Sequence, residues 1–311
     1  MKIIESELLE VAGEAQRRFA AKVDARGAGL REWLRAGGTY YVLRFDREHF
    51  VAEALDDSWS DANGSDMARY FWAARDSILP RSLVNYDARS IGWASIAIYY
   101  AGLYLCLAML RGFGYGLIYL APEDCEFLDV ACPSSSSKTA TPNAGTYSVA
   151  FTHGADGRVT IELTKKNVRG FHEGLWRHVD YCLDLIGRNI AEGTGVARAL
   201  PQESRWTASL STERLRAWLG ESGKTGREIG WMSTLRNDIN YRLARDAWSP
   251  NYRTKGVRVD RLRQDILSII RGKSDHIGKG LQLDSDLRVM IERISVLYRD
   301  LSKLAHFPGP L

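Results

Sequence analysis

The sequence predicts a mainly α protein with one β-hairpin inserted among its helices. Three observations carry that expectation. Apolar residues recur at helical spacing through most of the chain, as in Ile4, Leu8, Val11 and Ala15. One stretch alternates at period two on either side of Asp156-Gly157, the pattern of a hairpin. Between Arg89 and Arg111, 21 consecutive residues carry no charge, which suits a helix enclosed by other helices.

Along the chain, an amphipathic helix begins near residue 3. Gly27-Ala28-Gly29 breaks it before a short second helix carrying Leu30, Trp33 and Leu34. Tyr40 to Phe45 reads as a short strand. Residues 66–79 read as a helix that Pro80 stops, because the residue before a proline is pushed out of the α region. The uncharged helix follows from about 86 to 111 and ends at Gly112 and Gly114. Residues 116–120 read as a second short strand, and 131–146 as a loop. Tyr147, Val149 and Phe151, then Val159, Ile161 and Leu163, form the arms of the hairpin. Helices are expected over 169–192, 211–220, 226–247, 258–272 and 284–306, with Ser211-Thr212-Glu213 opening one of them as its cap. Two regions follow: an N-terminal helical region, 1–84, and a helical bundle, 85–311, into which the loop 131–146 and the hairpin 147–163 are inserted. A sheet of five or more strands would contradict this architecture.

Hydrophobic residues make up 45% and charged residues 26%, the balance of a soluble globular protein. A net charge of +4 is too slight to argue for polyanion binding by the whole surface, so any nucleic-acid contact must rest on local patches. Cys106, Cys125, Cys132 and Cys182 show no metal-ligand spacing and read as reduced thiols of a cytoplasmic protein. His172 and His178, six apart on a helix, point to nearly opposite faces and do not suit one metal ion. No cofactor or metal is expected: the chain has no GxxxxGK[ST] loop, GxSxG elbow or HExxH pair. The uncharged run is long enough to cross a bilayer, which takes about 20 residues. Ser95, Tyr99, Tyr100 and Tyr104 would then bring hydroxyls into hydrocarbon, which argues against a membrane.

The most unusual stretch is Ser233 to Arg242. Asn and Asp compete for backbone hydrogen bonds inside helices, yet Asn237, Asp238 and Asn240 interrupt a helical pattern whose apolar arc is Met232, Leu235, Ile239 and Leu243. Arg236 and Asn240 line the edge of that arc, with Asn237 and Tyr241 beside them. Asp238 and Arg242, four apart, make a solvent-side ion pair. A polar network of Arg236, Asn237, Asn240 and Tyr241 at a helix or subunit boundary is expected. A second set of cations, Arg253, Lys255, Arg258, Arg261 and Arg263, follows and suits nucleic-acid phosphates, with a solvated basic turn as the other reading.

Two segments resemble the HEPN superfamily. Ile91 to Gly102, with its aromatic pair followed by small residues, resembles the first core helix of HEPN domains. Arg236-Asn237 resembles the start of the family's Arg-polar-x-His signature, which has three to five intervening residues. The resemblance spans roughly 86–306. It implies a helical bundle acting as a homodimer or as a subunit of a multi-protein complex. It also implies a place in a prokaryotic antiviral-defence or toxin-antitoxin system, with RNA as target in the many members that are metal-independent ribonucleases. Here Tyr241 stands where the shortest signature places His, and a phenol with pKa near 10 is a poor base at neutral pH. That site then reads as binding rather than cleaving. A looser match is Arg299, Asp300 and His306. Seven residues separate its Arg and His by about 10.5 Å of axial rise, so two subunits would have to pair them. Three functions compete: a nucleic-acid- or partner-binding HEPN-like subunit, a ribonuclease using Arg299 and His306, and a membrane-associated helical protein.

Overall fold

The computed structural model describes residues 4–20, 23–79, 91–131, 141–154, 156–167, 171–222, 226–227, 229–242, 255–278, 281 and 283–304. Among these, ten α-helices and seven strands make the protein mainly α. In chain order they are α1 (Ser6–Phe19), α2 (Leu30–Ala36), β1 (Tyr40–Phe45), β2 (His49–Ala54), α3 (Ser58–Ile78) and α4 (Ile91–Gly112). Next come β3 (Tyr115–Leu120), α5 (Pro122–Ala131), β4 (Gly145–His153), β5 (Val159–Lys165) and α6 (Phe171–Glu192). A 3-10 turn (Gly195–Ala199) leads into α7 (Gln202–Gly220), the small β6–β7 pair (Glu221–Ser222 with Gly226–Arg227), α8 (Trp231–Arg242), α9 (Lys255–Ile270) and α10 (Ser285–Leu301).

The hairpin expected at 147–163 is present as β4 and β5, but it is the centre of a larger sheet. Five antiparallel strands run in the order β1-β2-β5-β4-β3. The lone-hairpin architecture is therefore corrected. β2 escaped the sequence reading because His49-Phe-Val-Ala-Glu-Ala54 carries only Phe50 and Ala52 toward the core. Ala52 lies opposite Ile161, and Phe50 opposite Leu163, so both strands bury the same face. The same pairing crosses the 84/85 division, since β2 from the N-terminal region hydrogen-bonds to β5 of the hairpin. Residues on both sides also share one hydrophobic core.

α4 is the axis of that core. It packs chiefly against α3 and α10, and also meets α8, α1 and α6. It is the one helix among the described residues long and apolar enough to cross a membrane, and it is mostly buried within the protein. Each fully buried Leu or Ile along it contributes roughly 1.5–3 kcal/mol relative to exposure. Its close at Arg111 is unusual, because this arginine is wholly buried. Asp66 stands 3.4 Å from its guanidinium, Asn63 Oδ1 accepts from Nη1 at 3.4 Å, and the Leu117 carbonyl accepts from Nη2 at 3.2 Å. Asn63 in turn donates to the Phe19 and Arg111 carbonyls at 2.7 and 2.9 Å. These bonds let the polar stretch of α3 start at Ser58, earlier than its apolar pattern suggests.

The expected helix start at Ser211-Thr212 is also corrected. α7 begins at Gln202, and both residues are buried within it. Thr212 Oγ1 donates within the helix to the Ala208 carbonyl, whereas Ser211 Oγ accepts from the Glu5 N–H and so ties α7 to the start of α1.

Candidate functional site

α8 turns Met232, Leu235 and Ile239 into the core, and this places Arg236 at its boundary with α4. The Arg236 side chain is nearly buried, at 8% exposure. Its Nη1 donates to Asn237 Oδ1 at 3.0 Å and to the Tyr241 hydroxyl at 3.3 Å, and its Nη2 donates to the Tyr100 hydroxyl at 2.9 Å. The rings of Tyr100 and Tyr241 lie 5.8 and 5.1 Å from the guanidinium carbon, within cation–π range. Burial opposes the charge, but the phenol hydrogen bonds hold the pKa of Arg236 above its ordinary value.

No carboxylate meets Arg236 among the described residues. Its acceptors are two phenols and an amide, all neutral. Nε is enclosed and has no partner, an arrangement that costs on the order of 1–3 kcal/mol. A buried cation is ordinarily paired with an acid, so this one stands out against the other buried arginine, Arg111, which has Asp66.

Around Tyr100 the aromatic residues of α4 continue. Tyr104 lies 6.3 Å from it and stacks on Tyr70 of α3 at 6.4 Å. On the other side, the His172 ring of α6 meets Tyr100 edge-to-face at 5.7 Å. The Tyr99 hydroxyl lies 3.2 Å from His172 Nδ1 and accepts from the Trp176 indole N–H at 3.2 Å. The Tyr99 hydroxyl also meets Ser233, so it can take either role toward His172 Nδ1. Burial first, and Arg236 second, lower the His172 pKa, so the ring is neutral at neutral pH. Arg236, Tyr100, Tyr241 and His172 thus bring one cation and three neutral polar rings together where α4, α6 and α8 meet.

Of the four residues singled out on α8, the structure joins Arg236, Asn237 and Tyr241, with Tyr100 of α4, in one hydrogen-bonded network. Asn240 is half-buried and makes no hydrogen bond among the described residues. Asp238 and Arg242 pair at 2.9 Å, though Asp238 is buried rather than on the solvent face. Arg299 is held by Asp275 at 2.6 Å and by the fully buried Asp300 at 3.1 Å, which makes it part of the packing of α10. His306 lies outside the described residues, as does Arg253. Lys255 and Arg258 stand on the first turn of α9; further along it Arg261 is exposed and Arg263 half-exposed.

Tyr99, Tyr100, His172 and Trp176 are members that sequence reasoning missed as site residues. The Tyr99-Tyr100 pair was visible as an aromatic pair. His172 carried no signal, because its neighbours come from other helices. His178 and Cys182 also approach, with Sγ 3.4 Å from Nε2, but burial pushes the thiol up to about 12 and the imidazole down to about 4. Those directions oppose a thiolate–imidazolium nucleophile. No cluster of three metal-ligating side chains occurs among the described residues. No family model, curated protein or solved structure matches the chain.

Proposed function

We propose that the chain is a HEPN-like subunit of a prokaryotic antiviral-defence or toxin-type system that binds nucleic acid, with Arg236 as its phosphate contact. In this reading it works in the cytoplasm, as a homodimer or within a multi-protein complex. The observation that carries it is the Arg236 guanidinium, held among neutral partners with no acid against it among the described residues. A phosphate supplies the missing charge, and arginine's planar fork suits its oxygens. Tyr241, 70% exposed, covers the guanidinium and offers a ring on which a base can stack. The HEPN likeness belongs to α4 with its aromatic pair, packed against α8 and α10; the five-stranded sheet lies outside it.

Binding is favoured over cleavage because Tyr241 stands where the signature places its histidine, and a phenol is a poor base at neutral pH. Fluorescence anisotropy with single-stranded RNA in EDTA tests this, beside Arg236→Ala, His172→Ala, Arg299→Ala and His306→Ala. Binding without cleavage is expected, weakened about tenfold or more by Arg236→Ala. His306→Ala should bind as the parent does. Cleavage abolished by both Arg299→Ala and His306→Ala would refute the binding reading and make the chain a metal-independent ribonuclease. Binding indifferent to Arg236→Ala would remove its phosphate contact.

A further inference from the structure

A cavity of about 440 Å³ opens at the other end of α6. His172 and Asn189 are 17 positions apart on that helix, about 26 Å by helical rise, so the cavity is separate from the Arg236 site. The C-terminal ends of α1 and α6, the start of β3 and the end of β4 enclose it. Phe19, Phe113, Phe151 and Tyr115 supply aromatic walls. Arg18 and Arg198 are exposed at its rim, and neither has an ion pair among the described residues.

Among the described residues the lining contains no carboxylate. Two helices end here, and each brings roughly half a negative charge, which two full cations outweigh. His153 also lines the cavity. Its Nε2 is shut into the protein with no partner, against Phe19 at 5.1 Å and Trp59 at 5.9 Å between ring centres. Nδ1 is thus the nitrogen left to meet a ligand. Burial, then Arg18, lower the His153 pKa; Asp57 acts in the opposite sense but does not line the cavity. Asn189 Nδ2 donates to the Tyr115 hydroxyl at 3.2 Å, which fixes that ring in the wall and leaves its O–H available as a donor.

We infer that this cavity is a binding site for a small organic anion: one flat ring held among Phe19, Phe113, Phe151 and Tyr115, and one carboxylate or phosphate held by Arg18 and Arg198. The two parts explain each other. An apolar cavity of this size without charge would take any greasy molecule, and two surface arginines without a cavity would take any anion. Together they select a ligand that carries both features. Asn189 and Nδ1 of His153 add directional hydrogen bonds on the inner side.

Isothermal titration of the full chain tests the site, with phenyl phosphate and phenylacetate as probes. Benzyl alcohol and inorganic phosphate serve as the uncharged and ringless controls. Saturable binding of at least one aryl acid is expected, about tenfold tighter than either control. Arg18→Ala and Arg198→Ala should each weaken it about tenfold, since both side chains are exposed and neither substitution threatens the fold. Asn189→Ala tests the inner wall in the same way. The phosphate and carboxylate arms tell which acid is preferred. No saturable binding of either aryl acid overturns the inference. So does equal binding of benzyl alcohol, equal binding of inorganic phosphate, or affinity unchanged in both arginine variants.

Discussion

Gly102 of α4 lies against Ile294 of α10, and replacing it with alanine measures how tightly the core axis is packed. A Cβ built there stands 2.7 Å from both Cγ1 and Cδ1 of Ile294, which is fully buried. Carbon contacts settle at about 3.5–4.0 Å, so roughly 1 Å of separation has to be found. Overpacking of this kind costs about 2 kcal/mol. Against it, alanine in a helix interior gains about 1 kcal/mol over glycine. Gly102→Ala should therefore be less stable by about 1 kcal/mol, read as a lower urea midpoint at unchanged slope. Ile294→Val removes Cδ1, one of the two crowding atoms, and should cost about 1 kcal/mol alone. Combined, the two changes should cost less than their sum by about 0.5 kcal/mol or more. A Gly102→Ala protein at least as stable as the parent would refute the close approach, and strict additivity in the double variant would show that Ile294 is not the neighbour that matters.

Arg299 and Asp300 give a second expectation. Removing one partner of a buried ion pair strands the other, so Asp300→Ala should destabilise by about 3–5 kcal/mol, because Asp300 is fully buried between Arg299 and Lys303. Arg299→Ala should likewise lower the unfolding temperature, and an unchanged temperature would return Arg299 to the candidates for catalysis. A third expectation concerns pH. The folded pKa of His178 is depressed from 6.5 to about 4, so above about 6.5 it contributes nothing to the pH dependence. As pH falls below that, the unfolded chain takes up a proton that the folded chain refuses, and stability is lost down to about pH 4, by about 3 kcal/mol. His153 and His172 act in the same sense. His178→Gln should flatten the acid limb of stability against pH, and an unaltered limb would count against the buried neutral ring. Finally, Cys106 and Cys182 are buried with pKa values near 12, and Cys125 is raised in the same direction. In a Cys132→Ser background a thiol reagent should modify the protein only after unfolding, whereas rapid native labelling would contradict that burial.

Periodicity located α6, α10 and the β4–β5 hairpin, because an element with one apolar face writes its period into the sequence, while the uncharged run marked α4. It likewise singled out Arg236, Asn237 and Tyr241, since Asn and Arg at the edge of an apolar arc break a local rule. The remaining members of the site left no such mark. Tyr100 and His172 reach Arg236 only when α4, α6 and α8 pack together, and no spacing along one helix encodes a contact across three. The same limit hid the sheet. β1, β2 and β3 are short, and β2 shows only two inward apolar residues, too few to declare a strand. Pairing with β5 supplies the hydrogen bonds and the buried face that make it one. Local patterns determine which face of an element is apolar; only tertiary packing decides which faces meet, and therefore which polar groups are brought to the same point.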